Sequence, residues 1–225
     1  MDETTDAPMS GAFPLAGGLG SVVRIPVPGS GNLAVELTAK GWTPAGGSSS
    51  TLFIQDPTGQ RHLRLDYGFN KRTNSVNYHW NQQKMNPSAP GAQFPVTNHQ
   101  PAGKGGEWLY KGAKAYRAAG RLMIVTGVAL DVVSIVVATR PLHQAVKVVS
   151  GWGGAWLGCK LIGAGGAVAG TAIEPGLGTA IGAGVGCFAG GLGGYFGASW
   201  AAGHLYDWVE GTYFSPLPEV ALPAQ

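Results

Sequence analysis

Gly178, Gly182, Gly186, Gly190 and Gly194 recur every four residues, Ala198 and Ala202 continue the row, and no charged residue interrupts it. Residues four apart share one face of a helix, so the pattern reads as a helix with a groove almost free of side chains, into which another helix can press its backbone. Eleven glycines lie between Pro175 and Gly203, and at the usual penalty relative to alanine they would cost a helix in water about 11 kcal/mol. Hydrocarbon reverses that balance, because an unpaired amide there costs several kcal/mol and enforces helix. Small residues four apart are the packing surface of membrane helices. A helix over 177–203 would be about 40 Å long, more than the roughly 30 Å hydrocarbon core.

A second Gly-rich run precedes the first. From Val148 to Ile173 the one charge is Lys160, and small residues again stand four apart at Gly154 and Gly158 and at Gly166 and Gly170. Glu174-Pro175-Gly176 separates the two runs, which predicts a helical hairpin whose grooved faces pack together or against other copies. Over the 59 residues from Val148 to Tyr206, Lys160 and Glu174 are the only formal charges. The alternative is a tightly packed Gly/Ala-rich hairpin inside a water-soluble fold. Trp200, Tyr206, Trp208 and Tyr213 beside Asp207 and Glu210, with Trp152 and Trp156 on the other arm, give the hairpin aromatic ends suited to a membrane interface. Leu122 to Thr139, fenced by Arg121 and Arg140, is a shorter apolar segment that fits either a span or a buried core helix. Asp131 in its middle is read as a residue paired inside the fold or as an intramembrane carboxylate, and Lys160 as a snorkelling or a pore-lining charge.

Upstream, the period is two. Residues 7 to 20 are Gly/Pro-rich and read as an irregular leader. Short strands are predicted at Ser21–Val27, Leu33–Thr38, Thr51–Ile54, His62–Tyr67 and Ser75–Asn81, with turns at Pro28-Gly29-Ser30-Gly31 and Asp56-Pro57-Thr58-Gly59 and a loop over Thr43–Ser50. Residues 82 to 106 contain four prolines and no periodicity. Glu107–Gly120 reads as a basic helix carrying Lys111, Lys114 and Arg117. The expected fold class is therefore α+β: a small N-terminal antiparallel β domain at 1–105, then an α-helical, membrane-inserting half at 106–225 with the Gly-rich apolar hairpin. Charged residues are 12% of the chain, about half the usual share, which fits neither an ordinary cytosolic enzyme nor a disordered chain. The acidic start, Met1 to Asp6, is followed by no apolar run, so export without a secretory signal peptide is expected.

Chemistry-bearing residues are few. Ser75–Asn81 alternates, with Val76, Tyr78 and Trp80 on one face and Asn77, His79 and Asn81 on the other. With Arg64 and Asp66 on the preceding strand and His99 beyond, His79, His99 and Arg64 supply what metal-free RNA cleavage requires: a base, an acid and a cation for the phosphorane. No metal-ligand spacing, P-loop or nucleophile elbow is present, so no metal and no cofactor are expected. Arg61, Arg64, Lys71 and Arg72 are too few for a nucleic-acid surface. Cys159 and Cys187, one on each arm of the hairpin, are expected as buried free thiols, with a disulfide after delivery to an oxidising compartment as the alternative.

Leu65-Asp66-Tyr67, Asn77-Tyr78-His79-Trp80-Asn81, the segment from Gly127 to Asp131, Gly151-Trp152, the glycine hairpin and Tyr206-Asp207-Trp208 together resemble antibacterial effectors of the type VI secretion system. Within that group the chain is most similar to the small pore-forming effectors exported through the Hcp tube. The resemblance spans about residues 50 to 215 and implies a non-enzymatic toxin. Such a chain would be soluble in the producer's cytoplasm, pass through the Hcp secretion tube, insert into the target cell's inner membrane lipid from the periplasm, and oligomerise there into a cation-conducting pore. It also implies a cognate immunity protein. The glycines of both arms would be the helix-packing surface, and Asp131 or Glu174 would bias the pore toward cations. The competing expectation is a nuclease toxin acting through His79 and His99, with the helices serving translocation.

Overall fold

Alternating β-branched, aromatic and polar residues in the first hundred positions form one antiparallel meander in an α+β chain. The computed structural model describes residues 11–27, 34–37, 48–55, 61–70, 75–82, 96–174 and 176–214. Six strands, β1 (Ile25–Pro26), β2 (Ala34–Leu37), β3 (Ser48–Gln55), β4 (Arg61–Asn70), β5 (Ser75–Gln82) and β6 (Gln100–Pro101), lie in sequence order across the sheet. The expected strand at 21–27 shrinks to two residues, and the loop expected at 43–50 is strand in its last three. The turns at 28–31 and 56–59, the side chains of Arg61, Lys71, Arg72 and Val76, and residues 1–10 lie outside what is described. In register, Leu65 faces Trp80, Tyr67 faces Tyr78, Arg64 faces Asn81 and Asp66 faces His79. One sheet face is thus apolar and the other polar, as the period of two requires. Leu63, Leu65 and Trp80 are buried, and Tyr67, Tyr78 and Tyr110 stack with centroids 5.2–6.0 Å apart. Burial raises the pKa of Tyr78 above its ordinary value.

The segment read as an irregular leader contains a helix. α1 (Ala12–Leu19) buries Ala12, Leu15, Ala16 and Leu19 against the other helices. Pro14 sits in its first turn, where a missing N–H is tolerated, and packing supplies the stability that its composition lacks. The two segments expected at 107–120 and 122–139 are one helix, α2 (Gly103–Val137), which absorbs the end of the aperiodic stretch as well. α3 (Pro141–Ile173) begins seven residues earlier than the apolar run, with proline at its first position. α4 (Leu177–Tyr213) completes the set.

Gly176, at φ +89°, supplies the left-handed residue of the hairpin turn, and its N–H donates to Thr179 Oγ1 at 3.3 Å. A side chain there would meet Leu63 and Trp80, so the hairpin tip rests on the apolar face of the sheet.

The glycine rows of α3 and α4 face each other. A Cβ on Gly154 would overlap the carbonyl of Gly194, and Gly158, Gly166 and Gly170 stand in the same relation to Gly190, Gly182 and Gly178. Between the two arms, Cys159 and Cys187 form a disulfide with Cα atoms 3.7 Å apart, which corrects the expectation of free thiols. Helices pressed this close leave no room for two separate buried thiols at facing positions.

Replacing Gly158 by Leu sets a side chain into the Gly190 backbone and should separate the arms, whereas Gly165→Leu, whose Cβ would meet nothing, should shift stability by no more than about 0.5 kcal/mol. Formation of the Cys159–Cys187 bond, read by mobility on non-reducing gels, is expected to fail in the first variant and persist in the second.

Candidate functional site: a buried carboxylate in an apolar bundle

Three helices, α2, α3 and α4, are each long and apolar enough to cross a membrane, and in their most apolar windows only 22%, 28% and 39% of residues are buried. Since small residues occupy the inner faces, the large apolar ones point outward. Val125, Val136, Leu161, Val185, Trp200 and Leu205 are each at least 60% exposed. A soluble monomer exposes apolar patches of a few hundred Å²; here most of three helices is apolar on the outside.

All four helices meet at Asp131. Its side chain is fully buried, accepting a hydrogen bond from Trp152 Nε1 of α3 at 2.7 Å and another from the Tyr195 hydroxyl of α4 at 2.8 Å. Gly11, the residue that caps α1, is pressed so closely that a Cβ would overlap the carboxylate and the Gly127 carbonyl. Asp131 is therefore paired inside the fold, with neutral donors from two other helices. Arg121 lies ten residues before it, about 15 Å along α2, and α2 ends at Val137, six residues and about 9 Å after it, with Arg140 in the connection to α3. Arg121 and the end of α2 are thus about 24 Å apart, somewhat less than the thickness of a hydrocarbon core, with Asp131 between them.

Several other charges have positions that can be read against these two points. Lys160, eight residues from Trp152 toward the Arg121 level, lies 3.9 Å over the Trp156 ring, the posture of an interfacial lysine. At the other level Arg140 pairs with Asp207 at 2.9 Å and with Glu210. Burial works against the Arg140 charge, but hydrogen bonding and attraction from Asp207, then from Glu210, outweigh it and raise its pKa above the ordinary guanidinium value. Lys147 sits between the levels, its stem running along Gly203. Toward Arg140 the interior is polar: Ser134 Oγ donates to the Asp131 carbonyl at 2.7 Å, Gln144 Nε2 donates to Ser134 Oγ at 3.1 Å, and His143 Nε2 stands 3.6 Å from Asp207. Toward Arg121 it is closed by Leu15 and Ile124 against Gly127 and Gly18.

Glu174, the other candidate pore charge, is exposed at the hairpin tip and is not brought near Asp131. Gly178, Gly182, Gly186, Gly190 and Gly194 all take part in the α3–α4 contact. Trp152 and Tyr195, which hold Asp131, were visible in the sequence only as an interface aromatic and an unremarked tyrosine; the spacing of a hydrogen-bonded triad across three helices has no sequence signature.

The polar face of the sheet assembles the histidine group. The rings of His79 and His99 lie 5.3 Å apart, with His99 at φ +62°. Asn81 Nδ2 is 3.4 Å from His79 Nε2 and donates to the buried Asp66 carboxylate, which Arg64 Nε also approaches at 3.0 Å. His79 Nδ1 is buried without a hydrogen-bond partner. Among the described residues no cluster of three or more His, Cys, Asp or Glu is arranged to hold a metal. Comparison with known proteins finds no matching family model, no similar curated protein and no similar solved structure.

Asp131→Ala would leave the Tyr195 hydroxyl and the Trp152 N–H without their acceptor. It is expected to cost about 2 kcal/mol or more, seen as a lower Tm in detergent, with Asp131→Asn costing less because one acceptor remains; an unchanged Tm in the Ala variant would remove the clamp role.

Proposed function

We propose that this chain is a pore-forming toxin: its helical half inserts into a bilayer, oligomerises, and conducts cations, dissipating the membrane potential. The observation that carries the reading is the inside-out character of α2–α4, with glycines turned inward and large apolar side chains outward. Because the glycine rows are occupied within the hairpin, copies would associate through the outward faces. Asp131, reached from the Arg140 end by Ser134, Gln144 and His143, is the group that would favour cations, while Glu174 would act at the hairpin tip.

In the fuller version of this reading the chain is an antibacterial type VI effector carried by the Hcp tube, soluble in the producer, active at the target's inner membrane and neutralised by an immunity protein. What supports that version is the resemblance of the motifs around Leu65, Asn77, Gly127, Gly151 and Tyr206.

A second reading is favoured by the approach of His79 to His99 beside Arg64. A ribonuclease toxin would use one imidazole to take the 2'-hydroxyl proton and the other to protonate the leaving 5'-oxygen, and the helices would only deliver the sheet.

The two separate cleanly in cells expressing the chain in the periplasm, followed with a voltage-sensitive dye. The pore reading expects rapid depolarisation with intact RNA, abolished by Gly186→Leu, whose side chain would strike the Ile162 carbonyl, and retained by His79→Ala. Degraded RNA at normal potential, lost in His79→Ala, would replace it with the nuclease reading.

A further inference from the structure

α1 has a closely fitted seat between α2 and α4. It runs antiparallel to α2, with its cap Gly11 against Gly127 and Gly18 against Gly120. A Cβ on Gly11 would overlap the Gly127 carbonyl, and one on Gly18 would overlap the Gly120 carbonyl and Ile124. Gly11 and Gly18 are seven residues apart, as are Gly120 and Gly127, so the two backbones touch twice along one line. On the other side Ala16 lies against Gly191 of α4, and the rings of Phe13 and Phe188 are 6.3 Å apart. α1 thus ends on Asp131 and closes the polar interior that Ser134 and Gln144 extend from the Arg140 end.

What holds α1 in this seat depends on water. Ala12, Leu15, Ala16 and Leu19 are buried, and water drives that burial; hydrocarbon solvates the same side chains and the drive disappears. The polar tie from α2 is the Tyr116 hydroxyl, which donates to the Gly17 carbonyl. Charge then decides where α1 belongs. Gly11 meets Asp131, about 15 Å along α2 from Arg121, and Asp6, Glu3 and Asp2 precede Gly11 by five, eight and nine residues. If α1 kept its seat while α2–α4 entered a bilayer, these carboxylates would either lie in hydrocarbon or be carried across it. Holding even one at bilayer mid-depth shifts an equilibrium against that state by about a hundredfold. We propose that α1 is a plug: it seals Asp131 in this structure and is released to the sheet side as the bundle enters a bilayer, which opens the interior from Asp131 toward Arg121. The proposal rests on the membrane reading above and adds a gate to it.

Phe13 is 63% exposed, so p-benzoylphenylalanine can take its place in the full chain and, on irradiation, report whether α1 lies beside Phe188. In buffer, crosslinks to α4 around Phe188 are expected, mapped by mass spectrometry. In chains that float with phosphatidylethanolamine/phosphatidylglycerol vesicles they should fall by about tenfold or more. Gly18→Leu, which cannot seat against Ile124 and the Gly120 carbonyl, should lose the crosslink already in buffer and depolarise potassium-loaded vesicles faster than the parent chain. Retention of the Cys159–Cys187 bond reports that the hairpin of that variant has formed. Undiminished crosslinking to α4 in the floated chains would overturn the release. So would depolarisation by the folded Gly18→Leu chain no faster than that by a conducting parent. Loss of the crosslink in floated chains that never depolarise would uphold the release and remove the pore reading. If no chain floats with the vesicles, the membrane reading falls and the release falls with it.

Discussion

The direct approach of the α3 and α4 backbones is the constraint from which the rest follows. Facing glycines let the helices close until carbonyl oxygens of one arm occupy the space where side chains of the other would stand. That arrangement gives much of the inner face to glycine and alanine, which bury little hydrophobic side chain. The large apolar residues of the same helices have nowhere to go but outward, so the surface that would be a liability in water is a direct result of the contact that defines the hairpin. The disulfide between Cys159 and Cys187 and the hydrogen bond between Thr171 and Thr179 at 2.6 Å lie on this same seam.

Against that seam, polar residues have clear positional meaning. Asp131 is the point where α2 is tied to both arms, and α1 is fitted over it through Gly11. A carboxylate at mid-depth of an apolar bundle is expensive unless its acceptor capacity is met, and here it is met by donors from two other helices. The sheet plays a separate part: its apolar face receives the hairpin tip and the start of α2, while its polar face carries the His79–His99 group away from the bundle.

Much of this was legible because period alone reveals it. A row of glycines every four residues specifies a groove, and two such rows around Glu174-Pro175-Gly176 specify a hairpin. The paired glycines are all symmetric about residue 174, and Cys159 and Cys187 are symmetric about residue 173; the ladder register thus already placed the two sulfurs together, a signal the buried-thiol expectation overlooked. α1 was hidden because Ala-Phe-Pro-Leu-Ala-Gly-Gly-Leu has loop composition, and its helicity comes from packing. The join of α2 at Gly120-Arg121 was hidden by a change from basic to apolar composition, which alters the environment of a helix without ending it. The clamp around Asp131 was out of reach, since Trp152 and Tyr195 are 21 and 64 residues away in sequence.

The placement of the sheet also gives the bundle a direction. α2 and α4 start at the sheet and α3 ends there, so the opposite end consists of the short α2–α3 connection and the last turns of α4. A sheet with one polar face does not readily traverse hydrocarbon, whereas that far end is small. Arg140 there is held by Asp207 and Glu210. Were the bundle to enter a bilayer by that end, Arg140 would go in with both carboxylates beside it, and the cost of desolvating its charge would be lowered by those pairs.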